Sequence, residues 1–122
     1  MRRLAMFALA STMAACSYDS TGPSGSVAGS YSLRTINGSP LPYTFSGGLR
    51  LISDDLTLYS NGTYEDVSRY DTGDTRVEEG YYTSYNGAVT FESEFGDVYQ
   101  GSVSGDVLTQ IVNGYTQVFE RD

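Results

Sequence analysis

The sequence predicts an all-β domain, either a small antiparallel up-and-down barrel or a strongly curved meander, with about eight strands. The first observation is a regular series of turn signals, Asn-Gly at 37–38, 61–62, 86–87 and 113–114, and Gly-Asp at 73–74, 96–97 and 105–106. Asn-Gly is the strongest short-range hairpin signal, because a type I′ turn needs positive φ at both central residues. The second is that the segments between these pairs are rich in Tyr, Thr, Val and Phe, which favour strands.

These turn signals divide the chain into short segments that we predict as strands. In order they are residues 28–36, 48–53, 55–60, 63–70, 76–85, 88–95, 98–104, 107–112 and 115–120. Because nearly every connection is short, consecutive strands should pair antiparallel. Lys and Pro, which commonly protect exposed strand edges, are almost missing from these segments, and this favours closure of the sheet into a barrel.

Alternation of apolar and polar residues supports the individual strands. In the segment 88–95, Val89, Phe91, Ser93 and Phe95 alternate with polar or charged residues. Rings on one side and charges on the other indicate a strand with one buried face. We therefore expect these four side chains to face the core.

Two places break the regular pattern. Asp54 and Asp55 interrupt the apolar stretch 49–58, and we interpret them as a bulge, a corner or a turn between two strands. The segment 43–45, which follows two prolines, forms either a lid, an added edge strand or a packed loop.

The composition excludes much chemistry. The chain has no histidine, its seven basic residues are all arginine, and Cys16 is its one cysteine. Histidine-based catalysis, Schiff-base formation, an internal disulfide and a CxxC redox pair are therefore excluded. A formal net charge of −8 argues against nucleic-acid binding, which needs clustered basic residues. We predict a protein that is not an enzyme and that needs no cofactor.

The acidic residues are candidate metal ligands and candidate catalytic groups. A cluster in the longest loop-like region contains Asp71, Asp74, Glu78 and Glu79. Its spacing does not match the EF-hand loop, so we predict a solvated hairpin tip and no metal site. The two glutamates of segment 92–94 share a strand face that we expect to meet solvent, where a carboxyl group would not gain the raised pKa of a catalytic acid. No catalytic carboxylate cluster is predicted.

The N-terminus has the features of a secretory signal peptide. Residues 1–3 carry positive charge, residues 4–10 are apolar, and residues 11–15 are mostly small. This order is typical of a signal peptide, and the apolar run is too short to span a bilayer. We predict a signal peptide over residues 1–15. The following Ser/Gly/Pro-rich stretch, up to residue 26, is predicted to be a flexible tether to a domain over 27–122.

Met13-Ala14-Ala15-Cys16 resembles the lipobox of bacterial lipoproteins. The resemblance implies that Cys16 is acylated, that the signal peptide is cut before it, and that the lipid anchors the protein to the cell envelope. Ser17 stands where an inner-membrane retention signal would have Asp, which implies the outer membrane. The alternative is an ordinary signal peptide that is cut near Ala15.

The predicted domain also resembles small lipocalin-like bacterial lipoproteins. The segments that carry this resemblance are 27–33, 37–42, 56–58, 61–64, 80–82 and 101–109. The resemblance implies an up-and-down β-barrel or a strongly curved meander. This resemblance is informative about the fold and much less so about the function.

Two functions follow as hypotheses for a membrane-anchored envelope lipoprotein. In the first, the barrel is non-enzymatic and binds a small apolar or aromatic ligand, with candidate lining residues Tyr31, Leu33, Leu58, Tyr64, Tyr82, Phe91, Tyr99 and Phe119. In the second, these side chains only pack a filled barrel, and the protein has a structural role or contacts another envelope protein.

Overall fold

A computed structural model describes residues 26–122 of the chain, so the predicted signal peptide, Cys16 and most of the predicted tether lie outside the described residues. The elements are β1 (Gly29–Ile36), β2 (Ser39–Pro40), β3 (Tyr43–Thr44), β4 (Arg50–Leu58), β5 (Thr63–Tyr70), β6 (Thr75–Tyr85), β7 (Ala88–Ser93), β8 (Val98–Ser104), β9 (Val107–Val112) and β10 (Tyr115–Arg121). Residues 26–122 contain no helix that is long and apolar enough to cross a membrane.

The strands form one antiparallel sheet that closes on itself. Its order is β2-β1-β10-β9-β8-β7-β6-β5-β4-β3, and β1 also pairs with β4. This last pairing closes a barrel of eight strands, while the two-residue strands β2 and β3 pair outside the ring with β1 and β4. The predicted antiparallel barrel is therefore confirmed. Of the three alternatives for segment 43–45, the added edge strand is the one observed, because Tyr43 and Thr44 form β3.

Three of the four Asn-Gly pairs form the turns that the sequence predicts. Asn37, Asn86 and Asn113 have φ of 51°, 50° and 51°, and the glycines after them have φ between 82° and 85°. Positive φ at both positions is typical of a type I′ turn. The fourth pair lies in a longer turn, in which the N–H of Gly62 donates to the Tyr59 carbonyl at 3.1 Å.

Two details of the predicted strands are wrong. The predicted segments 48–53 and 55–60 form the single strand β4, and the register shift lies between Leu51 and Ser53 instead of at the two aspartates. Phe95 is 63% exposed, because β7 ends at Ser93 and Phe95 lies in the following turn.

The inside of the barrel differs along its axis. At one end, where β1 begins and β10 ends, apolar side chains fill the barrel; we call this the packed end. Its buried side chains and those of the adjoining middle of the barrel are Val27, Tyr31, Leu33, Leu56, Leu58, Val89, Phe91, Leu108 and Phe119. The opposite end, where β5, β7 and β9 end, encloses a polar cavity; we call it the cavity end. An eight-stranded barrel has room for side chains or for one small ligand. In this barrel, side chains fill one end and a cavity occupies the other.

Two aromatic rings meet in the middle of the barrel, and a glycine makes room for one of them. Tyr64 and Phe91 meet edge to face with ring centroids 5.3 Å apart. A Cβ atom at Gly80 would lie 2.9 Å from the Tyr64 ring, which is too close, whereas one at Gly101 would lie at an ordinary contact distance of 3.5 Å from the Phe91 ring. The absence of a side chain at Gly80 therefore lets the Tyr64 ring lie against the neighbouring strand.

Candidate ligand site

A cavity of about 240 Å³ occupies the cavity end of the barrel. We call it the acidic cavity, because its lining contains the carboxyl groups of Asp54, Asp66, Glu78 and Asp97. The rest of the lining consists of aromatic rings, amides and one guanidinium group, together with a few aliphatic side chains. The lining thus combines polar groups that orient a ligand with rings that give it contact area.

Strand alternation and register bring the acidic groups together. On β4, Asp54 lies on the same inner face as Leu56 and Leu58, because side chains two residues apart share a face. β5 pairs with β4 on one side and with β6 on the other, so that Asp66 lies opposite Leu56 and also opposite Glu78. The three carboxyl groups therefore come from three consecutive strands and face the same interior space.

Glu78 is held by two phenol groups. The Tyr64 hydroxyl donates to Oε2 of Glu78 at 2.9 Å, and the Tyr99 hydroxyl donates to Oε1 at 3.4 Å. Burial and the adjacent carboxylate of Glu78 raise the pKa of Tyr64 above its ordinary value. The same two causes raise the pKa of Tyr99 to about 12. Both phenols therefore remain protonated donors at neutral pH, and they fix the Glu78 carboxylate on one wall of the acidic cavity.

Asp54 and Asp66 form a buried carboxyl pair. Asp54 is 5% exposed, and its Oδ2 accepts a hydrogen bond from the Ser68 hydroxyl at 3.1 Å. No protein donor reaches Oδ1 of Asp54 or Oδ1 of Asp66, although both atoms are buried. Burial raises the pKa of Asp54, and burial together with the proximity of Asp54 raises the pKa of Asp66 well above its ordinary value. Two adjacent buried carboxyl groups do not both ionise readily, so the pair keeps a shared proton to a higher pH than an isolated Asp would.

The rim of the acidic cavity is aromatic and carries one positive charge. Phe45 packs edge to face against Tyr43 at 5.1 Å and against Tyr115 at 5.4 Å between ring centroids. Phe45 and Tyr115 also line the acidic cavity. Arg76 is the cationic side chain of the lining, and it is exposed. The mouth therefore combines rings with a solvated guanidinium group, while the carboxyl pair lies deeper.

The structure divides the ligand-lining residues predicted from the sequence into two groups. Tyr64 and Tyr99 line the acidic cavity. The others belong to the core or pack against it: Tyr31, Leu33, Leu58, Tyr82, Phe91 and Phe119. Among these, the Tyr82 hydroxyl donates to the Tyr59 carbonyl at 2.6 Å, and burial raises the pKa of Tyr82 to about 12.

The predictions about acidic residues need two corrections. No carboxylate cluster in a cleft was predicted, yet Asp54, Asp66 and Glu78 line one cavity. Glu78, predicted to be part of a solvated hairpin tip, lies inside because β6 begins at Thr75 and alternation turns its side chain inward. The signal was present in the sequence: Asp54 is two residues from Leu56, and Asp66 is two residues from Tyr64. Period two alone places both aspartates on the buried face.

The described residues also bear on metal binding. Residues 26–122 contain no group of three or more His, Cys, Asp or Glu side chains arranged to hold a metal ion.

Comparisons with protein-family models, with curated proteins and with solved structures find no match to this chain.

Proposed function

We propose that this protein is a non-enzymatic binding protein of the bacterial envelope. It is exported, anchored to the membrane through a lipid on Cys16, and binds a small polar ligand in the acidic cavity. The observation that carries the binding role is the carboxyl pair of Asp54 and Asp66, whose two buried oxygens face the acidic cavity with no donor besides the proton that the pair shares. Buried polar atoms without partners are rare and costly in folded proteins, and a ligand with donor groups would satisfy them.

The size and lining of the acidic cavity define the kind of ligand. At about 240 Å³ it lies just below the range of about 300–1,000 Å³ of drug-sized sites, which favours a small molecule. The sequence predicts a small apolar or aromatic ligand. The carboxyl groups favour one that also carries hydrogen-bond donors, because an apolar ligand would leave the carboxyl groups buried without partners. The rings of Tyr64, Tyr99 and Tyr115 still supply contact area for an aromatic body.

The geometry also relates the cavity to the proposed anchor. Val27, next to the first described residue, accepts a hydrogen bond from the buried Tyr31 hydroxyl at 2.6 Å, and this contact lies at the packed end. A tether of some ten residues would place the packed end about 15–20 Å from the lipid. The tether would then join the domain at the end opposite the acidic cavity and leave the cavity mouth free of the chain that leads to the anchor. Ser17 after the acylated cysteine supports the outer membrane as the location.

Ligand binding is tested by native mass spectrometry of the full chain extracted from membranes in a mild detergent. The wild-type protein should carry a small-molecule adduct. The double variant Asp54→Asn/Asp66→Asn should lose it, and Asp55→Asn, which changes the exposed neighbour on the same strand, should keep it. A wild-type protein that is free of ligand after gentle extraction would contradict the proposal.

The anchor is tested separately by detergent-phase partitioning. Cys16→Ala should move the protein from the detergent phase to the aqueous phase, because multiple acyl chains contribute roughly 0.8 kcal/mol per buried CH₂. Unchanged partitioning of the variant would refute lipidation.

A second candidate function is contact with another envelope protein. It is favoured by two exposed apolar side chains on the outer surface of β6 and β8. Tyr81 and Val98 flank Glu92 in register, and they are 69% and 59% exposed. Crosslinking in intact cells should then recover one protein partner, and substitution of Tyr81 by Ser should abolish its capture.

A further inference from the structure

We infer that the acidic cavity recognises an organic cation: a primary ammonium group on a small, preferably aromatic, body, whose N–H groups replace the proton held between Asp54 and Asp66. This inference rests on the proposed function and names its ligand class.

The first step concerns the atoms that need a donor. Oδ1 of Asp54 and Oδ1 of Asp66 are both buried, and no N–H or alcohol hydroxyl of the protein reaches them, so that their one partner is the proton shared by the two carboxyl groups. The Ser68 hydroxyl donates only to Oδ2 of Asp54, and the hydroxyls of Tyr64 and Tyr99 both donate to Glu78. A proton shared by the pair supplies one donor. An ammonium group supplies three N–H donors and a positive charge, and so satisfies both oxygens at once.

The second step is the charge that surrounds the pair. The titratable and charged groups that line the cavity come from five strands or their ends: Asp54 from β4, Tyr64, Asp66 and Tyr70 from β5, Arg76 and Glu78 from β6, Asp97 and Tyr99 at β8, and Tyr115 from β10. Asp55 is adjacent on β4, but its side chain is half exposed and lies 3.4 Å from Arg69. Among the lining groups, four carboxyl groups therefore face one exposed guanidinium group. The local field attracts a cation and repels an anion.

The third step is the contact surface for the rest of the ligand. Tyr64, Tyr70, Tyr99, Phe45 and Tyr115 line the same space. Aromatic faces attract an ammonium group within about 6 Å, and they also pack against an aromatic body. The volume of about 240 Å³ limits that body to approximately one ring.

The proton balance follows from this exchange. Before binding, the pair holds one proton and one negative charge. The ligand arrives as an ammonium ion, the proton of the pair leaves to the buffer, and the two carboxylates bind the ammonium ion. No covalent bond to carbon forms or breaks. Binding therefore releases a proton, and its affinity increases with pH as long as the amine stays charged.

The test uses the full chain in detergent and three probes of nearly equal shape: benzylamine, benzyl alcohol and benzoate. Isothermal titration calorimetry measures each affinity. Benzylamine should bind about tenfold or more tightly than benzyl alcohol, because its charge-assisted hydrogen bonds are stronger, and benzoate should not bind. The apparent enthalpy for benzylamine should differ between buffers of different ionisation enthalpy, with release of about one proton per site.

Variants locate the effect in the carboxyl pair. Asp66→Asn and Asp54→Asn should each weaken benzylamine binding and remove the buffer dependence, whereas the matched control Asp55→Asn should change neither. Near-UV circular dichroism verifies folding. If either single variant does not fold, Glu78→Gln replaces it, and it should weaken benzylamine binding by a larger factor than benzyl alcohol binding.

The possible results separate this inference from the proposed function. Equal affinities for benzylamine and benzyl alcohol would overturn the cation inference and leave binding of a small polar ligand intact. Preference for benzoate would overturn it as well and would assign the site to Arg76. Failure of all three probes would overturn the cation inference, and the adduct seen or not seen in native mass spectrometry would then decide the proposed function on its own.

Discussion

The packed end and the cavity end are enclosed by the same eight strands, yet their interiors differ in chemistry. The change occurs within single strands: β5 presents Tyr64 to the core and then Asp66 to the cavity, and β9 presents Leu108 and then Gln110. A step of two residues, which keeps the same inner face, is enough to pass from one region to the other. The comparison teaches that alternation decides which side chains lie inside, while the residue type at each inner position decides what that part of the interior does.

The two ends should therefore contribute differently to stability. Burial of apolar surface at the packed end stabilises the fold. Burial of carboxyl groups at the cavity end costs free energy, because they lose water without gaining a full set of partners. Substitutions in the two regions test this difference in stability.

Phe91→Ala should destabilise the protein by about 3–5 kcal/mol, the usual cost of removing a buried aromatic ring. Phe91 is fully buried and packs against Tyr64 in the middle of the barrel. Urea denaturation measures the change. The control Tyr81→Ala, on the outer face of the adjacent strand and 69% exposed, should stay within about 0.5 kcal/mol. Equal costs for the two variants would mean that the packed end is not the main source of stability.

Asp66→Asn should stabilise the protein at alkaline pH by about 1–3 kcal/mol, because the amide avoids the cost of ionising a second buried carboxyl group beside Asp54. The pKa of Asp66 is raised by burial and by Asp54, so the folded state binds its proton more tightly than the unfolded chain does. The corresponding stability is fully present below the ordinary pKa of Asp and is lost as pH rises through the raised pKa.

Urea midpoints of wild type and variant, compared from acidic to alkaline pH, measure this effect. The wild-type midpoint should fall with increasing pH over that window, and that of Asp66→Asn should fall less. Asp55→Asn, whose carboxyl is half exposed beside Arg69, should follow the wild type. If the wild-type and Asp66→Asn profiles run parallel, the carboxyl pair does not share a proton.

Tyr64→Phe should cost about 1–2 kcal/mol, less than the loss of the whole Phe91 ring. The residue belongs to both regions: its ring packs against Phe91, and its hydroxyl donates to Glu78 at 2.9 Å. The variant removes only the hydrogen bond. Thermal and urea unfolding measure it, with Tyr82→Phe as the control, since the Tyr82 hydroxyl donates to a backbone carbonyl away from the cavity. A cost as large as that of Phe91→Ala would show that the hydroxyl also positions the ring.

Glu120→Gln should change the free energy of unfolding by less than about 0.5 kcal/mol, because exposed ion pairs contribute little. Glu120 lies 3.2 Å from Arg34 on the outer surface, and both side chains are more than half exposed. The small effect should vanish in about 1 M salt, where the Debye length is about 3 Å. A larger loss of unfolding free energy that persists in salt would show that the outer surface also stabilises the fold, independently of the two ends of the interior.

The fold was largely readable from the sequence, and the reason lies in the turns. Three Asn-Gly pairs require positive φ at their asparagines and thereby fix the hairpins, which in turn fix the neighbouring strands. Closure of the barrel depends on the pairing of β1 with β4, a contact between strands that are separated by β2 and β3, and no local signal encodes it.

The site was less readable. Period two places Asp54 and Asp66 on the inner face, but the rule that charged residues prefer solvent argues against this assignment. Both aspartates are nevertheless buried, because these strands meet at the cavity end, where other polar groups line the same space. The proximity of Asp66 to Asp54 and Glu78 follows from the register of β4, β5 and β6, and register across three strands is a property of the assembled sheet.

The position of β1 has a mechanical consequence. β1 is hydrogen-bonded on both sides, to β4 and to β10, and its first residues lie at the packed end. Next to it, the Arg121 guanidinium donates to the Ala28 carbonyl at 2.6 Å. A force that reaches the domain along the chain from residue 26 therefore pulls β1 along its own axis. The hydrogen bonds to both neighbours then bear the load together in shear, instead of opening one after another as in peeling.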